Sequence, residues 1–156
     1  MNSKFSIAVH VLSLLASTPG ERQTSEFLAI SIGTNPVVIR RLLANLRRAG
    51  LVTSKSAGGG GWMLTLPSDQ LTLDRVRQAV SEGESAKMHR NQPHPACAVG
   101  KDVRRVLGDV YKRADKAVDR ELAQISIAAI LASALQEEQS LEASINPQSF
   151  RTAACI

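Results

Sequence analysis

The sequence predicts a mainly α-helical chain with one small β-hairpin, and three observations carry that prediction. Of the 156 residues 44% are hydrophobic but only 3% aromatic, so the core must be aliphatic, as in helix packing. Apolar residues recur at steps of three and four along several segments, which is the spacing of one helix face. Two short β-prone runs, residues 51–55 and 62–66, flank a tip that contains four consecutive glycines. The length suits one domain with an appendage. No apolar run approaches the roughly 20 residues of a membrane span, and Met1-Asn2-Ser3-Lys4 does not begin a signal peptide. The expectation is a cytoplasmic protein with no membrane partner, whose two cysteines, Cys97 and Cys155, are thiols unless oxidised.

Taken in order, the first helix covers residues 5–16, with apolar residues at 5, 8, 9, 12, 15 and 16 and Ser3 as a candidate cap, and it ends at Thr18-Pro19-Gly20. His10 within it is expected as a core or boundary imidazole. A short helix fits residues 24–30, capped by Thr24 or Ser25, before Ser31-Ile32-Gly33 turns the chain. Thr34-Asn35-Pro36 supplies a side-chain cap and a proline for the first turn of the next helix. That helix runs to Ala49 with Ile39, Leu42, Leu43 and Leu46 as its apolar stripe, Arg41, Asn45 and Arg48 pointing away, and Gly50 as its terminator. A hairpin follows. Its glycines do not form a phosphate loop, which would require Lys and Ser or Thr and then a helix where this chain has Trp62-Met63-Leu64-Thr65-Leu66.

After Pro67, Thr72-Leu73-Asp74 starts a short helix to about Ser81, and residues 85–96 read as a loop. The longest periodic segment, residues 99–125, places Val103, Val106, Leu107, Val110, Ala114, Ala117, Val118, Leu122 and Ile125 on one seam. Such a seam must pack on another surface; a second copy of the chain is the expected partner, and a fold back onto its own core is the alternative. Ser126 restarts a last helix to Leu135, and residues 137–156 read as a polar, mobile tail.

The charge is uneven. Residues 1–66 hold seven basic and two acidic side chains, a net +5, whereas the remainder is neutral, so the whole excess sits on the N-terminal part. A localised basic excess favours a polyanionic partner, because neutralised phosphates release counterions. Helix, turn, basic helix and hairpin is the order of a winged helix-turn-helix, in which the basic helix enters the DNA major groove and the hairpin lies along the backbone. On that geometry Thr34, Asn35, Val37, Arg40 and Arg41 are candidates for base edges and phosphates, and Arg47, Arg48 and Lys55 for phosphates.

These residues also carry a resemblance. Residues 34–43, then Leu46-Arg47-Arg48-Ala49-Gly50-Leu51-Val52, then Gly60-Gly61-Trp62-Met63-Leu64, resemble the Rrf-two (Rrf2) family of bacterial winged-helix transcription regulators. Leu71-Thr72-Leu73, Val80-Ser81-Glu82-Gly83 and Cys97-Ala98-Val99-Gly100 fall where that family has its linking helix and the start of its dimerisation helix, so the likeness covers about residues 3–135. It implies a homodimer on palindrome-like operator DNA, usually a repressor, with a sensory element between the two helices. Two departures stand out. Iron-sulfur members carry three cysteines in the sensory loop, where this chain has only Cys97, and many members have an Arg before the wing glycines, where this chain has Ala57.

His89, His94 and Cys97 are one ligand short of a zinc site, so neither metal nor cofactor is expected. Cys97 precedes a helix N-terminus, whose positive end lowers a thiol pKa, and His94 adds to it; the likeness points to redox sensing, with His94 and Cys97 as the sensor. Their spacing comes with no third group or oxyanion donor, so the chain is not expected to be an enzyme. The expected organisation is a winged helix-turn-helix with linking helix (1–83), a sensory loop (84–98), dimerisation helices (99–136) and a flexible tail (137–156). The expected function is a homodimeric repressor on double-stranded DNA, redox-responsive through Cys97. The alternative is a winged-helix module for protein interaction or RNA binding without operator specificity.

Overall fold

A computed structural model describes residues 3–55, 60–81 and 98–145 of the chain. The order is α1 (Ser3–Ser17), α2 (Ser25–Ile32), α3 (Pro36–Arg48), β1 (Val52–Lys55), β2 (Gly61–Leu64), a 3-10 turn (Ser68–Gln70), α4 (Leu73–Val80), α5 (Ala98–Leu122) and α6 (Ile127–Ile145). The two strands pair antiparallel, with Val52 opposite Leu64 and Lys55 opposite Gly61.

One aliphatic core joins these elements. It holds Val11, Leu12 and Leu15 of α1, Leu28 of α2, the whole α3 stripe of Ile39, Leu42, Leu43 and Leu46, and Val76 and Val80 of α4. Leu122 at the end of α5 and Ile127 at the start of α6 belong to the same cluster, with Ile130 and Leu131 packed against it. The segment that the sequence assigns to dimerisation therefore also closes the core of the N-terminal unit. Two side-chain links reinforce this closure. Arg77 of α4, 7% exposed, bonds Asp115 at 2.6 Å and also Asp119, both on α5. Backbone pairing adds to it, since Leu73 N–H donates to Ile125 O and Ile127 N–H to Leu71 O.

Three expectations need correction. His10 is exposed rather than at the core, because α1 buries Ala8, Val11, Leu12, Leu15 and Ala16 and, at about 100° per residue, His10 falls on the opposite face. α5 stops at Leu122, three residues before the end of its apolar seam, because the backbone at Ile125 and Ile127 is committed to the residue 71–73 segment. α6 begins where expected, with Ser126 Oγ accepting from Ala129 N–H, but continues to Ile145 through residues that the sequence places in a mobile tail. Its second half is rich in Gln, Glu, Leu and Ala, all good helix formers, so lost periodicity there does not mean lost helix. Among the described residues no single helix is long and apolar enough to cross a membrane.

Candidate nucleic-acid interface

The basic helix is aimed by its two ends. Gly33 closes α2 in the left-handed region, φ 71°, where a side chain would be strained, and its N–H donates to Ile30 O while Thr34 N–H donates to Ala29 O. Two residues later Asn35 caps α3, its Oδ1 accepting from Val37 N–H at 2.8 Å, and Pro36 takes the first helical position. With only three residues between them, α2 and α3 meet at a bend of 113°, within the range of helix-turn-helix units. Burial of the α3 stripe leaves Val37, Arg40, Arg41, Arg47 and Arg48 exposed along the outer side.

The candidate residues do not stand alike. Val37, 47% exposed, and Arg41 open to solvent on the first two turns of α3. Asn35 is exposed but its carbonyl oxygen is engaged in the cap, and Thr34 is half-buried. Arg40 makes an ion pair with Glu26 on α2. The Glu26 backbone N–H in the first turn of α2, and after it the Arg40 guanidinium, hold the Glu26 carboxyl below the usual glutamate range. Arg48 bonds Asn45 on its own helix. Arg47 lies over the Trp62 ring, 5.9 Å from its centroid, a cation–π contact that ties the far end of α3 to the wing. Lys55 is exposed at the end of β1, beside the wing tip.

The wing is seated from its other edge. Trp62 N–H donates to Gln23 O at 2.9 Å and Gln23 N–H to Trp62 O at 3.0 Å, so the segment before α2 pairs with β2. Gly61 permits this approach. A Cβ there would lie 2.9 Å from Arg22 Cβ and 3.1 Å from Gln23 O, closer than packed atoms come. Sequence reasoning assigned Gly61 to a flexible tip and missed Trp62 and Glu26 as partners of the arginines. No local signal marks them, since Glu26 and Arg40 are 14 residues apart. His94 and Cys97 lie outside the described residues, as do His89, Ala57 and Cys155. Among the described residues no three His, Cys, Asp or Glu side chains form a group able to hold a metal.

A basic helix set across its predecessor by a capped turn, with a two-stranded wing locked beside it, defines a winged helix-turn-helix DNA-binding protein. The family model described as "Rrf2: Iron-dependent Transcriptional regulator" matches residues 1–133. The chain is 34% identical over 127 residues to YwnA of Bacillus subtilis (strain 168), whose name describes an HTH-type transcriptional regulator; the match spans 81% of this chain and 93% of YwnA. A crystal structure described as that of a DNA-binding protein superposes with TM-score 0.67 at 32% identity, over 83% of this chain and 99% of that one. CymR, the global cysteine regulator of B. subtilis, shares the fold, with TM-score 0.63 at 18% identity over 85% of this chain and 96% of that one. The chain belongs to the Rrf2 family of transcriptional regulators, and it is a DNA-binding regulator rather than an enzyme. The family description refers to iron. With two cysteines in 156 residues, the chain cannot supply the three thiolates of the family's iron-sulfur loop.

Proposed function

We propose that the protein acts as a homodimeric repressor on palindrome-like operator DNA, with Cys97 as its redox-responsive element. The observation that carries this reading is the unpartnered stripe of α5: Val103, Val106 and Val110 are 46%, 50% and 39% exposed, on a helix whose far end is buried in the core. A second copy pairing along that stripe satisfies it in water. Because Leu122 and the Arg77 ion pairs fix α5 to the DNA-binding unit, the α5 crossing angle sets the distance between the two α3 helices. Half-sites one turn apart, about 34 Å, require that distance to be held.

At each half-site Arg41 reaches a guanine edge with two donors, and Val37 meets a thymine methyl. Thr34 and the Asn35 amide contact the nearby backbone, as do Arg47, Arg48 and Lys55 further along. Arg40 joins by exchanging Glu26 for a phosphate. In the sequence Cys97 immediately precedes Ala98, the first residue of α5, and follows His94 by three residues; on the redox reading the positive helix end favours its thiolate. Its attack on peroxide yields a sulfenic acid and hydroxide, placing a polar, reactive group next to the dimer helix. A changed crossing angle there moves both reading helices off register.

The test is binding to DNA from upstream of the protein's own gene, at several salt concentrations, before and after peroxide or hypochlorite. The expected result is tight binding with a steep salt slope, lost on oxidation in the native chain and retained in Cys97→Ser. Equal release of Cys97→Ser by oxidant overturns the redox element. Binding without sequence preference overturns the operator reading in favour of a module for RNA or acidic proteins.

A further inference from the structure

Between the first turns of α1 and the length of α3 runs an open groove of about 570 Å³ that shares Arg41 and Arg48 with the DNA-contact candidates but has an apolar floor that DNA contact does not explain. Its floor is apolar, formed by Ile7, Leu42, Ala44 and Val38, the last 45% exposed. Its rim carries three cations, Lys4 from α1 and Arg41 and Arg48 from α3, with no acidic side chain among the described residues that line it. A phosphate backbone has no use for an aliphatic floor, and a purely apolar ligand has none for three cations. The volume lies within the roughly 300–1,000 Å³ of small-molecule sites.

We infer that this groove binds a small amphipathic carboxylate, its alkyl or aryl part on the Ile7, Val38 and Leu42 floor and its carboxylate among Lys4, Arg41 and Arg48. The site makes its occupant a competitor of DNA. Arg41 and Arg48 serve both partners, so a bound carboxylate neutralises part of the α3 surface and holds apolar bulk against the helix that must enter the major groove. The carboxylate binding stands on the groove alone, whereas the release of DNA rests on the operator reading above.

The experiment titrates the reduced protein with octanoate by calorimetry, with octanol and inorganic phosphate as comparators at matched ionic strength. Saturable octanoate binding is expected, stronger than that of either comparator. Ala44→Trp fills the floor and should weaken octanoate by more than about tenfold. Lys4→Gln, an exposed change that spares the core, should weaken it by about threefold while leaving octanol unchanged. Octanoate should also displace labelled operator from the native chain. No saturable binding overturns the site, as does binding unchanged in both variants, which puts the ligand on another apolar surface such as α5. Equal competition by inorganic phosphate also overturns it, since the groove is then only a track for the DNA backbone. Operator affinity without octanoate is measured in the same series, so failure of the repressor reading is seen separately from failure of the groove.

Discussion

α3 and α5 each present an aliphatic stripe at steps of three and four, yet the two stripes meet different surroundings. Ile39, Leu43 and Leu46 of α3 are fully buried and Leu42 nearly so, whereas Val103, Val106 and Val110 of α5 keep about half of their surface in water. Periodicity reports that a helix has an apolar face. It does not report which surface covers that face. α3 is covered by α2, α4 and β1 of its own chain; among the described residues α5 is covered only along its second half, where Arg77 of α4 holds Asp115 and Asp119 and Leu122 enters the core.

The largest expected effect comes from charging the uncovered stripe. Val106→Asp places one carboxylate from each copy inside the proposed dimer contact, and each unpaired buried charge costs several kcal/mol. Dimer affinity should fall by about a thousandfold, ~4 kcal/mol, with the helical content of the monomer retained. Sedimentation at graded concentrations reads this directly, and an unchanged dimer would move the subunit contact elsewhere. The matched change in the covered stripe is Leu43→Ala. Loss of a fully buried leucine should cost about 3 kcal/mol of stability at every protein concentration. The same fall in both chains only at low concentration would erase the distinction between the stripes.

Next in size is the joint between the regions. Arg77 is nearly buried and holds two carboxylates from α5, so Arg77→Met leaves Asp115 and Asp119 facing each other without a cation. Asp119 is a third exposed, which reduces the cost, and about 2–3 kcal/mol of stability should be lost, a fall of roughly 4–12 °C in Tm. Replacing all three residues by leucine or methionine should restore most of that loss, since a buried ionic group is seldom better than a packed apolar one. If the triple variant melts like the native chain but binds operator poorly, the pair serves to orient α5.

A smaller effect tests the mounting of the reading helix. Asn35→Ala removes the side-chain acceptor from Val37 N–H and should cost about 1 kcal/mol. Asn35→Asp keeps the cap and should hold stability while weakening DNA, because it sets a negative charge beside phosphates.

The start of α2 and both ends of α3 were legible in the sequence because caps, proline and terminal glycine act within a few residues, whereas α2 runs on to Ile32, two residues past its expected end. The seam of α5 was legible for the same reason. What could not be read was joined across the chain. Arg77 meets partners 38 and 42 residues away, Arg40 one 14 residues away, and Gly61 is required by Arg22 and Gln23 rather than by its neighbours in the tip. Composition named the arginines of the interface, but which of them face solvent and which are engaged depends on tertiary contacts that periodicity does not encode.

The smallest expected effect concerns one such engaged arginine. Glu26 lies beside Arg40 in the only acid–base pair on the reading surface among the described residues, and its folded-state pKa lies below the ordinary value. A carboxyl with a depressed folded pKa contributes stability above its unfolded pKa and loses it as pH falls through the folded value. The melting temperatures of the native chain and Glu26→Gln should therefore differ at neutral pH and converge as the pH drops below about 4.3. A difference that persists in acid would show that the carboxylate charge is not its source. The same variant frees Arg40 and removes a negative charge that faces the DNA. Operator binding should then tighten with an unchanged log–log salt slope, because Arg40 meets its phosphate in both complexes and the variant is spared only the exchange. A slope steeper by about 0.9 would instead show that Glu26 keeps Arg40 off the backbone in the native complex.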